Sequence, residues 1–192
     1  MRGSDTCTFR DHETLTDDQI DFITTNLPLN CRKLVFRGTE LTDIGVSYIA
    51  TNLLLRGGNR SNNLMHLCLS NATISDDGVK SICCALLSNK NNKLGSLILD
   101  LNTGITCVGA QALGEMLEKM NHGNLKLLDL SYTSIGRDGV YVLCKSLLQN
   151  KNTKLKQLDI TRTLTLKDNM EDEDLKDIID RTENIGLEIL NY

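Results

Sequence analysis

The chain has 192 residues, a formal net charge of −4, 40% hydrophobic and 24% charged residues, the profile of one globular unit with a continuous core. No apolar run is long enough to cross a bilayer, no Lys/Arg block approaches a nucleic-acid patch, and no apolar signal core follows Met1–Ser4. Aromatics are 4% and Trp is absent, so Leu and Ile must carry the packing.

Residues 1–12 read as a degenerate first strand anchored by Cys7 and Phe9. Thr16 and Gln19 have the spacing of a capping box, and Ile20, Ile23 and Leu27 then recur at helical intervals. Pro28 cannot continue that helix. Residues 1–30 are therefore predicted to form a degenerate N-terminal capping repeat, and 31–192 an array that ends on a strand.

The array rests on one unit. LKLLDLSYTSIGRDGV, from Leu125 to Val140, is matched by segments starting at Cys31, Leu64 and Leu94 and more weakly at Leu155, a period of 30 to 33 residues. A period that steady marks a solenoid. Each unit opens Leu-x-x-Leu-x-Leu, a short strand whose alternate side chains face one way. Thr42, Ser75, Thr106 and Gly136 stand where a helix N-cap is expected. Asp43, Asp76, Asp77 and Asp138 fall in the first turns, where they complement the helix dipole. The helices carry apolar stripes, such as Val79, Ile82 and Leu86 or Val140, Leu143 and Leu147. Gly45, Gly78, Gly109 and Gly139 precede the stripes and predict close approach to the neighbouring coil. Linkers rich in Asn, Gly and Lys return the chain at 56–63, 88–93, 121–124 and 149–154. After Leu155 the pattern weakens: Leu164 and Leu166 break it, and Met170–Asp174 opens an acidic helix with Leu175, Ile178 and Ile179 on its apolar face. A last strand is predicted from Leu187, leaving an open sheet edge able to pair with a partner.

Strand, turn and full helix in about 30 residues, led by Leu-x-x-Leu-x-Leu, resembles the leucine-rich repeats of the ribonuclease-inhibitor subfamily, shared by RanGAP, tropomodulin and the sensor domains of NOD-like receptors. The family's usual Asn or Cys after the strand is matched by Asn102 and Asn71, with Thr39, Thr133 and Thr163 in other units. The resemblance implies an α/β, right-handed leucine-rich-repeat solenoid with a parallel sheet on its concave face and helices outside.

With the strand leucines inward, the residues between them line the open face. The third positions are Lys33, His66, Ser96, Leu127, Gln157 and Ile189; the fifth are Val35, Cys68, Ile98, Asp129, Asp159 and Asn191. Arg37, Ser70, Asp100, Ser131 and Thr161 follow, then Tyr132 and Arg162. Asp100, Asp129 and Asp159 predict a carboxylate ladder, with Arg162 and Tyr132 at one end to neutralise it. Val35, Ile98 and Leu127 are the expected apolar anchors. The expected protein-binding residues are thus Val35, Arg37, His66, Cys68, Ile98, Asp100, Leu127, Asp129, Tyr132, Gln157, Asp159 and Arg162.

His12, His66 and His122 have no metal-ligand spacing, no phosphate-cradling glycine loop is present, and His66 with Cys68 lacks an orienting third group. No catalytic residue, metal or cofactor is expected. The seven cysteines, odd in number and without C-x-x-C, read as reduced thiols filling apolar positions in a cytoplasmic setting. The function expected is a non-enzymatic protein-interaction module, an adaptor or a subunit of a larger, for example cytoskeletal, assembly. Its partner would be another protein with a basic segment, with neither nucleic acid nor membrane insertion. The alternative is regulation of a partner enzyme such as a small GTPase, which the resemblance to RanGAP implies.

Overall fold

The structure, a computed structural model, describes residues 5–10, 15–55, 63–121, 123–150, 152–164 and 172–190. Among them strands and helices alternate: β1 (Thr6–Arg10), α1 (Asp17–Thr25), β2 (Lys33–Arg37), α2 (Asp43–Ile49), β3 (His66–Ser70), α3 (Asp76–Ser88), β4 (Ser96–Ile98), α4 (Cys107–Lys119), β5 (Leu127–Asp129), α5 (Gly136–Gln149), β6 (Gln157–Asp159), α6 (Glu173–Glu183) and β7 (Glu188–Leu190). α2 continues as a π-helical turn over Ala50–Leu55. The strands form one parallel sheet in sequence order, β1 to β7. Expectations for His12, His122, Leu166, Met170, Glu171, Asn191 and the first four residues lie outside the described residues.

The register makes equivalent residues neighbours: Leu34, Leu67, Leu97, Leu128 and Leu158 form one row across the sheet. They are fully buried, as are Val46, Val79, Ala110 and Val140 from the helix stripes, and all belong to a single continuous core. Each coil buries its apolar face against the next, which is how a solenoid is stabilised. β1 pairs with β2 along its whole length, and the Phe9 ring stacks on Phe36 with centroids 4.9 Å apart. The thiols are all free: Cys31, Cys83 and Cys144 are buried, while Cys84 and Cys107 are exposed. Burial pushes the Cys83 thiol up to about 12 and that of Cys144 to about 11, which suits packing and not reactivity.

The helix starts follow their sequence chemistry. Thr16 and Gln19 make both bonds of the capping box, and Thr42, Ser75 and Thr106 accept first-turn N–H groups. Gly136 is not a cap: α5 begins on it, Ile135 precedes it, and no side chain caps that helix. Leu27 lies beyond the end of α1.

Asp43 and Asp76 do more than face a helix dipole, and Asp17 joins them. Asp43 accepts the Ser75 hydroxyl, the Ser75 N–H at 2.8 Å and the Gly78 N–H at 3.1 Å from the next coil. Asp76 repeats the bracket on Thr106 and Gly109, and Asp17 takes the Thr42 hydroxyl at 2.8 Å. These carboxylates tie consecutive helix starts together as well as facing a helix dipole. In the equivalent place α4 carries Cys107, and α5 carries Arg137, which is paired with Asp172 at the start of α6.

Two further expectations are corrected. β7 registers Glu188 beside Gln157, Ile189 beside Leu158 and Leu190 beside Asp159. Ile189 is therefore a core residue, 8% exposed, and Glu188 and Leu190 take the open-face positions. A slip of one residue exchanges the faces of a strand. Asn102 is the buried turn asparagine, donating to the Leu69 and Leu99 carbonyls and accepting the Ala72 N–H at 3.0 Å. Asn71 stands one place earlier in its coil, where its φ is +49°.

Candidate binding face

The open face carries two cross-strand rows from β2 to β7. Lys33, His66, Ser96, Leu127, Gln157 and Glu188 are side by side, as are Val35, Cys68, Ile98, Asp129, Asp159 and Leu190. Lys33, His66 and Arg37 are exposed, and Cys68, Ile98, Asp100, Leu127, Asp129, Gln157 and Asp159 are half-buried. Val35 is 8% exposed. It is no open anchor, because β1 places Thr8 on one side of it and Cys68 lies on the other.

His66 and Cys68 share the face without pairing with each other. The Cys68 thiol lies 3.0 Å from the Ser70 hydroxyl, and that hydroxyl donates to Asp100. His66 turns to a cavity at the opposite end of the strand. Among the described residues no group of His, Cys, Asp or Glu could hold a metal ion.

The carboxylate ladder is present, but its partners are not those expected. Asp129 accepts the Ser131 N–H at 2.9 Å and the Ser131 hydroxyl at 2.7 Å, and Asp159 accepts the Thr161 N–H at 2.9 Å. Arg162 forms no ion pair with Asp100, Asp129 or Asp159. Burial raises the Asp129 carboxyl above its ordinary range; the two Ser131 bonds oppose that shift, and charge on Asp159 and Asp100 adds to it.

Beyond the strands runs a row that sequence reasoning saw only in part. Gly38, Asn71, Leu101, Tyr132 and Arg162 all adopt positive φ, between 49° and 66°. The turn lets the Gly38, Asn71, Leu101 and Tyr132 N–H groups reach carbonyls of the following coil at 2.8 to 3.0 Å. Their side chains then stand off the rim: Leu101 is 38% and Tyr132 48% exposed. Leu101 was not singled out, and Asn71 was given the place that Asn102 holds. Aligning the residue four places after the strand's middle leucine in each unit would have shown the row.

A family profile described as "Leucine Rich repeat" matches residues 60–83 and 123–144. Human NACHT, LRR and PYD domains-containing protein 7 is 39% identical over 138 residues, which cover 72% of this chain and 13% of that relative. Mouse NACHT, LRR and PYD domains-containing protein 14 is 29% identical over 120 residues, 62% of this chain and 12% of the relative. Human NACHT, LRR and PYD domains-containing protein 13 is 33% identical over 89 residues, 46% of this chain and 8% of the relative. The chain thus spans a small part of the length of these relatives. No helix among the described residues is long and apolar enough to cross a membrane. The in-register strands, the coil-to-coil brackets and these matches agree: the chain is a leucine-rich repeat protein with repeats of the NOD-like-receptor type.

Proposed function

We propose that the chain is a non-enzymatic protein-interaction module, an adaptor or part of a larger assembly, working in a cytoplasmic setting. It binds through the open face and its rim. One observation carries this reading: Leu101, Tyr132 and Arg162 occupy left-handed backbone positions on consecutive coils. Side chains of L-residues cost about 1–2 kcal/mol there, and the fold itself would be served by Gly or Asn, as at Gly38 and Asn71. Displaying a Leu, a Tyr and an Arg at that cost supports a contact role, since Tyr and Arg are the residues that anchor interfaces.

The partner presents a basic segment to Asp100, Asp129 and Asp159, with Ile98, Leu101 and Leu127 as apolar contacts. The outer edge of β7 gives a second place where a strand of a partner can add. Regulation of a small GTPase rests on the resemblance to RanGAP alone, and no observation on this face favours it.

Affinity capture from the native cell lysate tests the reading on three chains: wild type, Tyr132→Ala, and Asp129→Lys with Asp159→Lys. Proteins held by the first and lost from both others support it. Equal retention by all three moves the partner to the helices or the β7 edge and overturns the assignment.

A further inference from the structure

At the end of the strands opposite the acidic row, the open face holds a cavity of about 580 Å³ lined by Met65, His66, Lys93, Gly95, Ser96, Asn124, Lys126 and Leu127. That size lies within the roughly 300–1,000 Å³ typical of ligand pockets. Its origin is local to β4. The residue just before each strand is Arg32, Met65, Lys126 or Lys156 on the neighbouring coils but Gly95 here, and the first strand residue is the small Ser96. Gly95 sits between its neighbours, its N–H on the Met65 carbonyl and its carbonyl receiving the Lys126 N–H, both at 2.8 Å. Two small residues at the start of β4 thus leave a notch between the large side chains of the neighbouring coils.

The notch has a definite chemistry. Met65, 41% exposed, and the half-buried Leu127 supply apolar walls. Exposed Lys93 and Lys126 set two ammonium groups on the rim, and exposed His66 adds an imidazole. Lys93 is steadied by the Asn63 side chain, to which it donates at 2.8 Å. Among the described residues no carboxylate lines the cavity.

We infer that the notch above Gly95 and Ser96, walled by Met65 and Leu127 and rimmed by Lys93, Lys126 and His66, is a binding site for an acidic peptide segment that inserts an apolar side chain. The cationic rim selects the carboxylates and the apolar walls take the side chain. A peptide is favoured over a nucleic acid because His66 is the one ring among the described lining residues, whereas single strands are held by stacking on several rings. The inference rests on the open face being a binding surface, and it gives that surface a direction. Acidic residues of the partner lie at the start of the strands, and basic residues lie over Asp129 and Asp159 at their ends.

The probe is a fluorescein-labelled peptide alternating glutamate and leucine, with the matching lysine–leucine peptide as control, read by anisotropy on the full chain. Lys126→Glu should weaken the acidic peptide about tenfold or more and leave the basic one unchanged. Gly95→Leu fills the notch: a Cβ there meets the Met65 and Asn124 carbonyls at 3.6 and 3.7 Å, ordinary contacts. It too should abolish acidic-peptide binding. Asp129→Lys with Asp159→Lys should affect only the basic peptide, so failure of the acidic-row assignment is read separately. Acidic-peptide affinity unchanged in both notch variants overturns the inference, as does tighter binding of single-stranded RNA or of phosphatidylserine vesicles than of the peptide.

Discussion

The Asp43 carboxylate accepts the backbone N–H of Gly78 at 3.1 Å, and a Cβ on Gly78 would stand 2.5 Å from that same oxygen. Acid and glycine on successive coils are therefore one device: the bond forms only because the glycine has no side chain. Gly78→Ala should cost about 1–3 kcal/mol, the usual penalty for overpacking, with the Ile74 methyl at 2.9 Å blocking the other escape. Gly109→Ala meets Asp76 at 2.6 Å and should behave alike. Urea unfolding measures both, and wild-type midpoints would contradict the bracket.

Tyr132 presents the reverse case, a large side chain where the backbone favours a small one. Tyr132→Asn keeps the left-handed turn at lower strain and should raise stability by up to about 1 kcal/mol. The same change should weaken partner binding. A variant that is destabilised, or that binds as before, would remove the reason given for displaying the ring.

Asp129 makes the pH dependence specific. Its folded carboxyl is raised above the ordinary value, chiefly by burial, so the folded state holds the proton more tightly than the unfolded one. Ionising it then burdens the fold: stability falls as pH climbs from the ordinary aspartate range through the raised folded value. Asp129→Asn retains an oxygen for the Ser131 donors and removes the burden. Its Tm should exceed that of wild type at neutral pH, with the gap closing once pH drops below the ordinary aspartate range. A gap independent of pH would show that Asp129 is not the group responsible.

At β7 the Glu188 N–H bonds the Lys156 carbonyl and the Leu190 carbonyl receives the Ile160 N–H. Alternation along the strand turns the Ile189 N–H outward. Amide exchange followed by NMR should find Ile189 fast and Leu190 slow in the isolated chain, with Ile189 slowing when a strand is added. Strong protection of Ile189 in isolation would mean that something already covers the edge.

The repeat architecture was legible because it lies in local patterns: strand leucines, helix stripes and the caps Thr42, Ser75 and Thr106 all occupy the places their spacing predicts. What escaped depends on contacts between coils. Asp43 and Asp76 look like helix-dipole acids until Ser75, Gly78, Thr106 and Gly109 are seen beside them. The last strand was misread because Leu187, Ile189 and Leu190 satisfy either of two registers, and only the pairing with β6 decides between them. On the open face the residues were placed but not their environments. Val35 lies under cover of β1, and the notch arises from what Gly95 and Ser96 lack.

The joint between α4 and α5 differs from those before it. Cys107 offers no carboxylate, Ile135 no capping hydroxyl, and contact is made instead by small groups: a Cβ on Gly114 would meet the Ser146 hydroxyl at 2.8 Å, and one on Gly139 the Ala110 methyl at 2.9 Å. Seen as heritable modules, the earlier coils are joined by matched sets, an aspartate on one and a Ser or Thr and a Gly on the next. A recombination break between α4 and β5, beyond Gly109, cuts no such bracket. It is the place where a lineage, or an engineer, could splice in or excise coils and leave every remaining bracket intact.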